Sequence, residues 1–360
     1  MSFQRTRPVA YIPCTIEPPS EVWRQRARAH LDTLTKPLGS LGRLEDIAAQ
    51  IVSIRRERFT EKVNKGAYVF AADHGITAEG VSAYPREVTH QMVLNFLAQG
   101  AAINVLARLH DVELRVVDVG VDADFHNLSS LLHHKVSKGT QNMLHEAAMT
   151  DEQLAQALAV GAAIADDASA AGQTMIAIGE MGIGNTTSAS AITCALIGAT
   201  ATQATGHGTG MGVEAHARKV SIVQAIVSKH FTASSANSSA LEILRCVGGL
   251  EIAAMVGMIL TAANHQLVIV ADGFISTAAA ALAVAIAPTV QGYLIAGHQS
   301  EEPGHKLLLD HLNLVPVLML NMRLGEGTGA VLAMPILESA IALYTQMATF
   351  TSAGVSGASR

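Results

Sequence analysis

Aromatic side chains are scarce in this 360-residue sequence, at 4% with a single tryptophan. That leaves too few platforms for stacking the bases of a nucleic acid. Charge is scarce as well, at 15%, and acidic on balance: 24 Lys+Arg against 30 Asp+Glu give −6, with no basic run. Neither nucleic acid nor a membrane surface is therefore expected as a partner. With 49% apolar residues and so few charges, disorder is excluded and a large core is available. The three cysteines, Cys14, Cys194 and Cys246, lie far apart and form no C-x-x-C, so a disulfide framework is excluded and a reducing cytoplasm is expected. No apolar segment of the kind found in secretory leaders follows the basic residues of MSFQRTRPVAYIPC. The longest charge-free stretch considered as a span, Gly273 to Val290, is mostly alanine, holds Ser276, Thr277 and Thr289 and is interrupted by Pro288; it reads as a buried helix. None of the 15 histidines has H-E-x-x-H or Cys/His finger spacing: His133 and His134 are adjacent, while His298, His305 and His311 are spread over a loop and a helix. No metal site is expected. There is no internal repeat.

What is present is alternation. Short apolar runs at 67–72, 113–119, 174–178, 266–271, 293–296 and 315–320 have strand length, and several lack a polar face, as strands covered on both sides do. Between them lie Ala/Leu-rich stretches of helical length at 88–109, 151–171, 250–263 and 276–286. Such alternation predicts an α/β fold: a Rossmann-like, mostly parallel sheet of about six strands flanked by helices. Helical spacing also covers 21–34, 43–58 and 330–347. The expected organisation is an α/β catalytic domain over 63–329, with a small helical second domain assembled from the N-terminal helices (1–62) and the C-terminal helix and tail (330–360).

Polar and Gly-bearing turns follow the predicted strands, where open α/β sheets bind ligands. They are Asp73-His74-Gly75, the run Gly179 to Thr187 (GEMGIGNTT), Asp272-Gly273, Gly297 to Ser300 and Gly325 to Gly329; a further turn, Gly206 to Gly210, lies between helical segments. The spacing G-x-x-x-x-G-N-T from Gly179 to Thr186 nearly matches a phosphate-binding P-loop, but Asn185 replaces the lysine that would reach the β- and γ-phosphates. ATP chemistry is disfavoured, whereas backbone N–H groups with Thr186 and Thr187 can hold a monophosphate. No G-x-G-x-x-G follows a strand, which disfavours a dinucleotide cofactor. ADGFIST carries Asp272 alone, where a loop for a metal-bound diphosphate sugar needs two adjacent acids. Glu326, flanked by glycines past an apolar run, is a candidate general base, against the alternative of a surface carboxylate. Glu180 sits similarly beside the Gly-rich loop. Two rival readings remain at this point, a catalytically idle nucleotide-binding protein and a P-loop-like ATP-dependent enzyme.

KPLGSLGRLE, ADHGITAEGVSAYP, GEMGIGNTT, G-x-G-T-G, ADGFIST, SEEPGH and RLGEGTGA, in this order from about Lys36 to Thr349, resemble the nicotinate-nucleotide–dimethylbenzimidazole phosphoribosyltransferase family. The resemblance implies a cytoplasmic homodimer that moves 5-phosphoribose from nicotinate mononucleotide to 5,6-dimethylbenzimidazole in cobalamin biosynthesis, without cofactor or metal. By the same resemblance the base falls on Glu326 and a second carboxylate on Glu180. The nucleotide and its phosphate would be held by Gly182, Asn185, Thr186, Thr187, Gly208, Thr209, Gly210, Lys219 and Ser300. Without the family, Lys219 reads better as a solvated helix lysine. Ser82, Tyr84, Met92 and Leu324 are implied for the aromatic acceptor, with core packing an equal reading for Met92 and Leu324. His207, where the family often carries arginine, is left out of the site.

Overall fold

The run Lys65–Ala72 is buried along its whole length, as a strand sandwiched between two helical layers must be. It is β1 of the structure, a computed structural model that describes residues 15–125, 128–208, 210, 212–231 and 238–356. The other strands are β2 (Glu113–Gly120), β3 (Leu131–His133), β4 (Met175–Met181), β5 (Val268–Ala271) and β6 (Leu294–Ala296). Every pairing among them is parallel, and their order is β3-β2-β1-β4-β5-β6. The chain thus builds outward from β1 to one edge, then returns to β4 and builds to the other. The crevice beyond the carboxyl ends of β1 and β4 is the place where such a sheet accepts a ligand.

The helices that precede and follow β1 are α1 (Glu21–Leu31), α2 (Arg43–Arg55), α3 (Val88–Leu97), α4 (Ala102–Leu109) and α5 (Asp151–Ala170). After β4 come α6 (Asn185–Ile197), α7 (Ala201–Ala204), α8 (Val213–His230), α9 (Ala240–Val247) and α10 (Leu250–Asn264). The last are α11 (Phe274–Ile286), α12 (Pro303–His311), α13 (Thr328–Gln346) and α14 (Phe350–Ala353). The charge-free stretch after Asp272 is α11, whose first ten residues are all buried in the core. Helices α5 and α10 cross at glycines: a Cβ on Gly161 would lie 1.7 Å from the Ala254 carbonyl oxygen, and one on Gly257 2.0 Å from that of Leu158. The chain ends meet, with Leu34 bridged to Thr349 and α13 packed on α2, and buried residues of α1, α2 and α13 belong to the same apolar cluster as the sheet. KPLGSLGRLE finds its role here: Lys36 and Glu45 form a buried ion pair at 2.9 Å, and Glu45 also accepts from the Leu41 N–H.

Three elements differ from expectation. Val315–Leu320 is not a strand: one bridge, Leu318 to His298, ties it to the end of β6, and Val315, Met319 and Leu320 point outward. Those three serve a surface while Val317 and Leu318 pack against the core, a division that a hydrophobic run alone does not reveal. The helix expected over 88–109 is two helices. Gln99 adopts a left-handed conformation (φ 62°) before Gly100, and the Asn104 side chain accepts from the Ala101 N–H to start α4 while donating to the Phe96 carbonyl. The edge strand β3 is only three residues long and carries no hydrophobic run by which to find it.

Candidate active site

Glu180 lies at the carboxyl end of β4 and is buried. Its carboxylate accepts from the Asn185 side-chain amide, which the tight turn at Gly184 (φ 96°) brings back at the start of α6. Burial pushes the Glu180 carboxyl up to about 8; the neighbouring Glu251, Asp272 and Glu326 carboxylates add to the rise and the Asn185 hydrogen bond opposes it. Gly182 has no room for a side chain, since a Cβ there would lie 2.6 Å from the Ala72 carbonyl oxygen. This loop rests on a fully buried pair, His74 Nε2 to Glu251 Oε1 at 2.6 Å.

Glu326 comes from the other side. Gly325, Glu326 and Gly327 all have positive φ (82°, 65° and 85°), and the turn lies directly on β4: a Cβ on Gly179 would be 2.4 Å from the Gly327 nitrogen. Glycine adopts this conformation at little cost, whereas the glutamate between them is strained. Its Oε2 is buried with no hydrogen-bond partner. Burial first, and then the nearby Asp272 carboxylate, push the Glu326 carboxyl up to about 7, against a hydrogen bond from the Ile103 N–H.

A cleft runs between these two carboxylate-bearing loops. Glu180, Gly182, Asn185, Thr186, Gly208, Ser300 and Leu324 line it, together with the backbone at Gly325 beside Glu326. A contiguous pocket shares Gly182, Asn185, Thr186 and Gly208 and adds Ser82 and Lys219. Lys219 is 1% exposed, so it is not a solvated helix lysine. Its Nζ donates to Thr186 Oγ1 at 2.8 Å, and burial pushes its ammonium down to about 8 despite the opposing Glu302 carboxylate. Ser300 Oγ accepts from the Glu302 N–H just ahead of α12, and its own N–H donates to His305 Nδ1. With Nδ1 accepting, His305 Nε2–H faces Thr277 Oγ1 at 3.0 Å, and burial holds the imidazole neutral by pushing it down to about 3.

Several residues singled out in the sequence do not line the cleft, Glu326 among them: it is buried beside Gly325, which does. Thr187 is fully buried beneath the loop, Gly210 stands in open space, Tyr84 is half exposed, and Met92 packs on the core cluster. Thr209 lies outside the described residues. Conversely, Met181, Ile183, Phe274, Ile275, Ser276, His298, Glu302 and Arg323 line the cleft without having been singled out for it. For all but Arg323, which precedes the Gly325 turn, positions at or soon after the ends of β4, β5 and β6 are the available signal. Among the described residues no group of three or more His, Cys, Asp or Glu side chains could hold a metal ion.

A family model described as a phosphoribosyltransferase matches residues 16–355. A protein of Geobacter sp. (strain M21) named nicotinate-nucleotide–dimethylbenzimidazole phosphoribosyltransferase is 46% identical over 340 residues, covering 94% of this chain and 97% of the relative. One of the same name from Chloroflexus aurantiacus is 47% identical over 330 residues, covering 92% and 93%. The crystal structure of CobT from Thermus thermophilus superposes with a TM-score of 0.89 at 44% identity, covering 94% of this chain and all of the other.

Proposed function

The chain belongs to the nicotinate-nucleotide–dimethylbenzimidazole phosphoribosyltransferase family, and from that premise we propose how its own residues carry the transfer. The reaction moves 5-phosphoribose from nicotinate mononucleotide to 5,6-dimethylbenzimidazole, giving α-ribazole 5′-phosphate and nicotinate for cobalamin biosynthesis. The donor enters with its phosphate at Lys219, Thr186, Gly208 and Ser300, where a buried ammonium and two hydroxyls can meet an anion. Its ribose then lies between Glu180 and Glu326. Nicotinate departs from a cationic pyridinium nitrogen, so the leaving group needs no proton. Positive charge develops on the ribose C1′ in the cleft lined by Glu180, whose ionised form stabilises it.

The acceptor binds toward Leu324 and Ser82. One ring nitrogen attacks C1′ with inversion as the C1′–pyridinium bond breaks, and the other ring N–H passes its proton to Glu326. The observation that carries this reading is the Glu326 carboxylate. Its Oε2 is buried and unpartnered, and the group titrates near neutrality, as an efficient general base does. The donor has no diphosphate leaving group, so no divalent ion is needed to neutralise one, and Lys219 serves the single phosphate. A cytoplasmic setting fits a biosynthetic enzyme whose described cysteines, Cys194 and Cys246, are free. A homodimer is supported by the apolar side chains of Val315, Met319 and Leu320, exposed together on one surface segment.

The test is direct. The protein is incubated with nicotinate mononucleotide and dimethylbenzimidazole in EDTA, and released nicotinate is measured. Steady turnover is expected. Loss of turnover on chelation, restored by a divalent ion, overturns the metal-free mechanism.

A further inference from the structure

Asp272 follows β5 and is 1% exposed. A lone acid in this loop has no second carboxylate with which to share a metal, and its hydrogen bonds show another use. Oδ2 accepts from the Gly327 N–H at 3.0 Å, while Oδ1 accepts from the Gly329 N–H at 2.7 Å and the Ala330 N–H at 3.0 Å. These N–H groups belong to the turn that carries Glu326 and to the first turn of α13, where a helix has donors to spare and favours a negative charge. His298 Nδ1 stands 3.5 Å from Oδ1, and neither His298 ring nitrogen has a hydrogen-bond partner. We infer that Asp272 is a positioning residue of the reaction: it clamps the left-handed Gly325–Glu326–Gly327 turn and so fixes where the Glu326 carboxylate meets the acceptor. This rests on the reading of Glu326 as the base.

The clamp has an electrostatic side as well, because a carboxylate so near Glu326 opposes its ionisation. Glu180 of β4, His298 after β6 and Arg323, two residues before Gly325 and lining the same cleft, are the other charged or titratable groups around the turn. Charged side chains on the packed helices are engaged elsewhere. Arg108 of α4 bonds Gln99, and on α2 Glu45 pairs with Lys36, Asp46 with Arg28, Arg43 with the Val315 and Pro316 carbonyls, and Arg55 with that of Gln266.

Asparagine at 272 keeps one acceptor oxygen, sets an NH₂ group against the backbone donors and removes the charge. In Asp272→Asn, kcat should fall about ten- to a hundredfold through misplacement of the base, with KM for nicotinate mononucleotide within about threefold of wild type. The acid limb of the pH–rate profile should move to lower pH. In the double variant with Glu326→Gln, the Asp272 substitution should cost almost nothing further, since it acts through a base already removed. Losses that multiply in the double variant, or an acid limb that stays in place, overturn the inference and leave Asp272 a purely structural cap. If Glu326→Gln alone retains wild-type turnover, the reading of the base fails, whatever Asp272 does. Folding is checked by circular dichroism, and Asp272→Ser replaces Asp272→Asn if the latter does not fold. Hydrogen exchange on the wild-type protein needs no variant: protection of the Gly327, Gly329 and Ala330 amides is expected, and exchange at the rate of an open loop overturns the clamp.

Discussion

Glutamine at position 326 keeps the size of the side chain and can still hydrogen-bond the acceptor, but it cannot take a proton. In Glu326→Gln the acceptor should still bind while turnover falls by about 10²–10⁴, the usual worth of a positioned general base. Steady-state nicotinate release measures this, and turnover near that of wild type removes Glu326 from the mechanism. Lys219 acts on binding instead. A buried ammonium facing a phosphate contributes a charge-assisted bond, so Lys219→Ala should weaken nicotinate mononucleotide by roughly ten- to a hundredfold in calorimetric titration. Acceptor affinity should change little. The two groups also set the pH profile. The base works deprotonated, so rate rises as pH climbs through about 7, the value to which burial brings Glu326. The lysine works protonated, so donor binding declines above about 8, where Lys219 loses its proton. A bell-shaped kcat/KM for the donor follows, and a profile flat from pH 6 to 9 contradicts both assignments.

At the scale of elements, five of the six strands are legible because parallel strands buried on both faces read as short apolar runs. Their ends are legible for the same reason, and with them Glu180; Glu326 is legible only by its flanking glycines, since the run before it is not a strand. Periodicity does not tell a buried run from an exposed one, which is why Val315–Leu320 reads as a strand and is a surface segment. Nor does it reveal a partner distant in sequence. The burial of Lys219 against Thr186, the His74–Glu251 pair under the Gly182 loop and the clamp at Asp272 each join segments far apart along the chain. Gly161 and Gly257 belong with these, since their role appears only where α5 crosses α10. Adding a methyl at either should force the helices apart and destabilise the fold by about 1–3 kcal/mol. The Gly161→Ala/Gly257→Ala pair should cost less than the two singles together, because the first already opens the contact. Thermal unfolding of the three variants gives the comparison.

On the scale of the whole molecule, the site works against stability. The Glu180 and Glu326 carboxyls are raised above their ordinary 4.5, so the folded protein holds their protons more tightly than the unfolded chain does. Their contribution is full below pH 4.5 and is lost as pH rises through about 7 to 8. The melting temperature of the ligand-free protein should therefore fall between pH 5.5 and 8.5, and the Glu180→Gln/Glu326→Gln double variant should flatten that fall. Calorimetry across this range decides it. Sedimentation should find a dimer, and Val315→Glu with Met319→Glu should shift it toward monomer without unfolding it. The meeting of the chain ends also imposes a timetable. Helix α2 leaves the ribosome early, yet the helix it packs on, α13, is among the last segments translated. Until then the apolar side of α2 and the part of the sheet that α13 covers stay exposed, a surface of the kind that makes incomplete chains prone to aggregate. The turn bearing Glu326 immediately precedes α13, so a ribosome that stalls short of it releases a chain with the donor loop but no base.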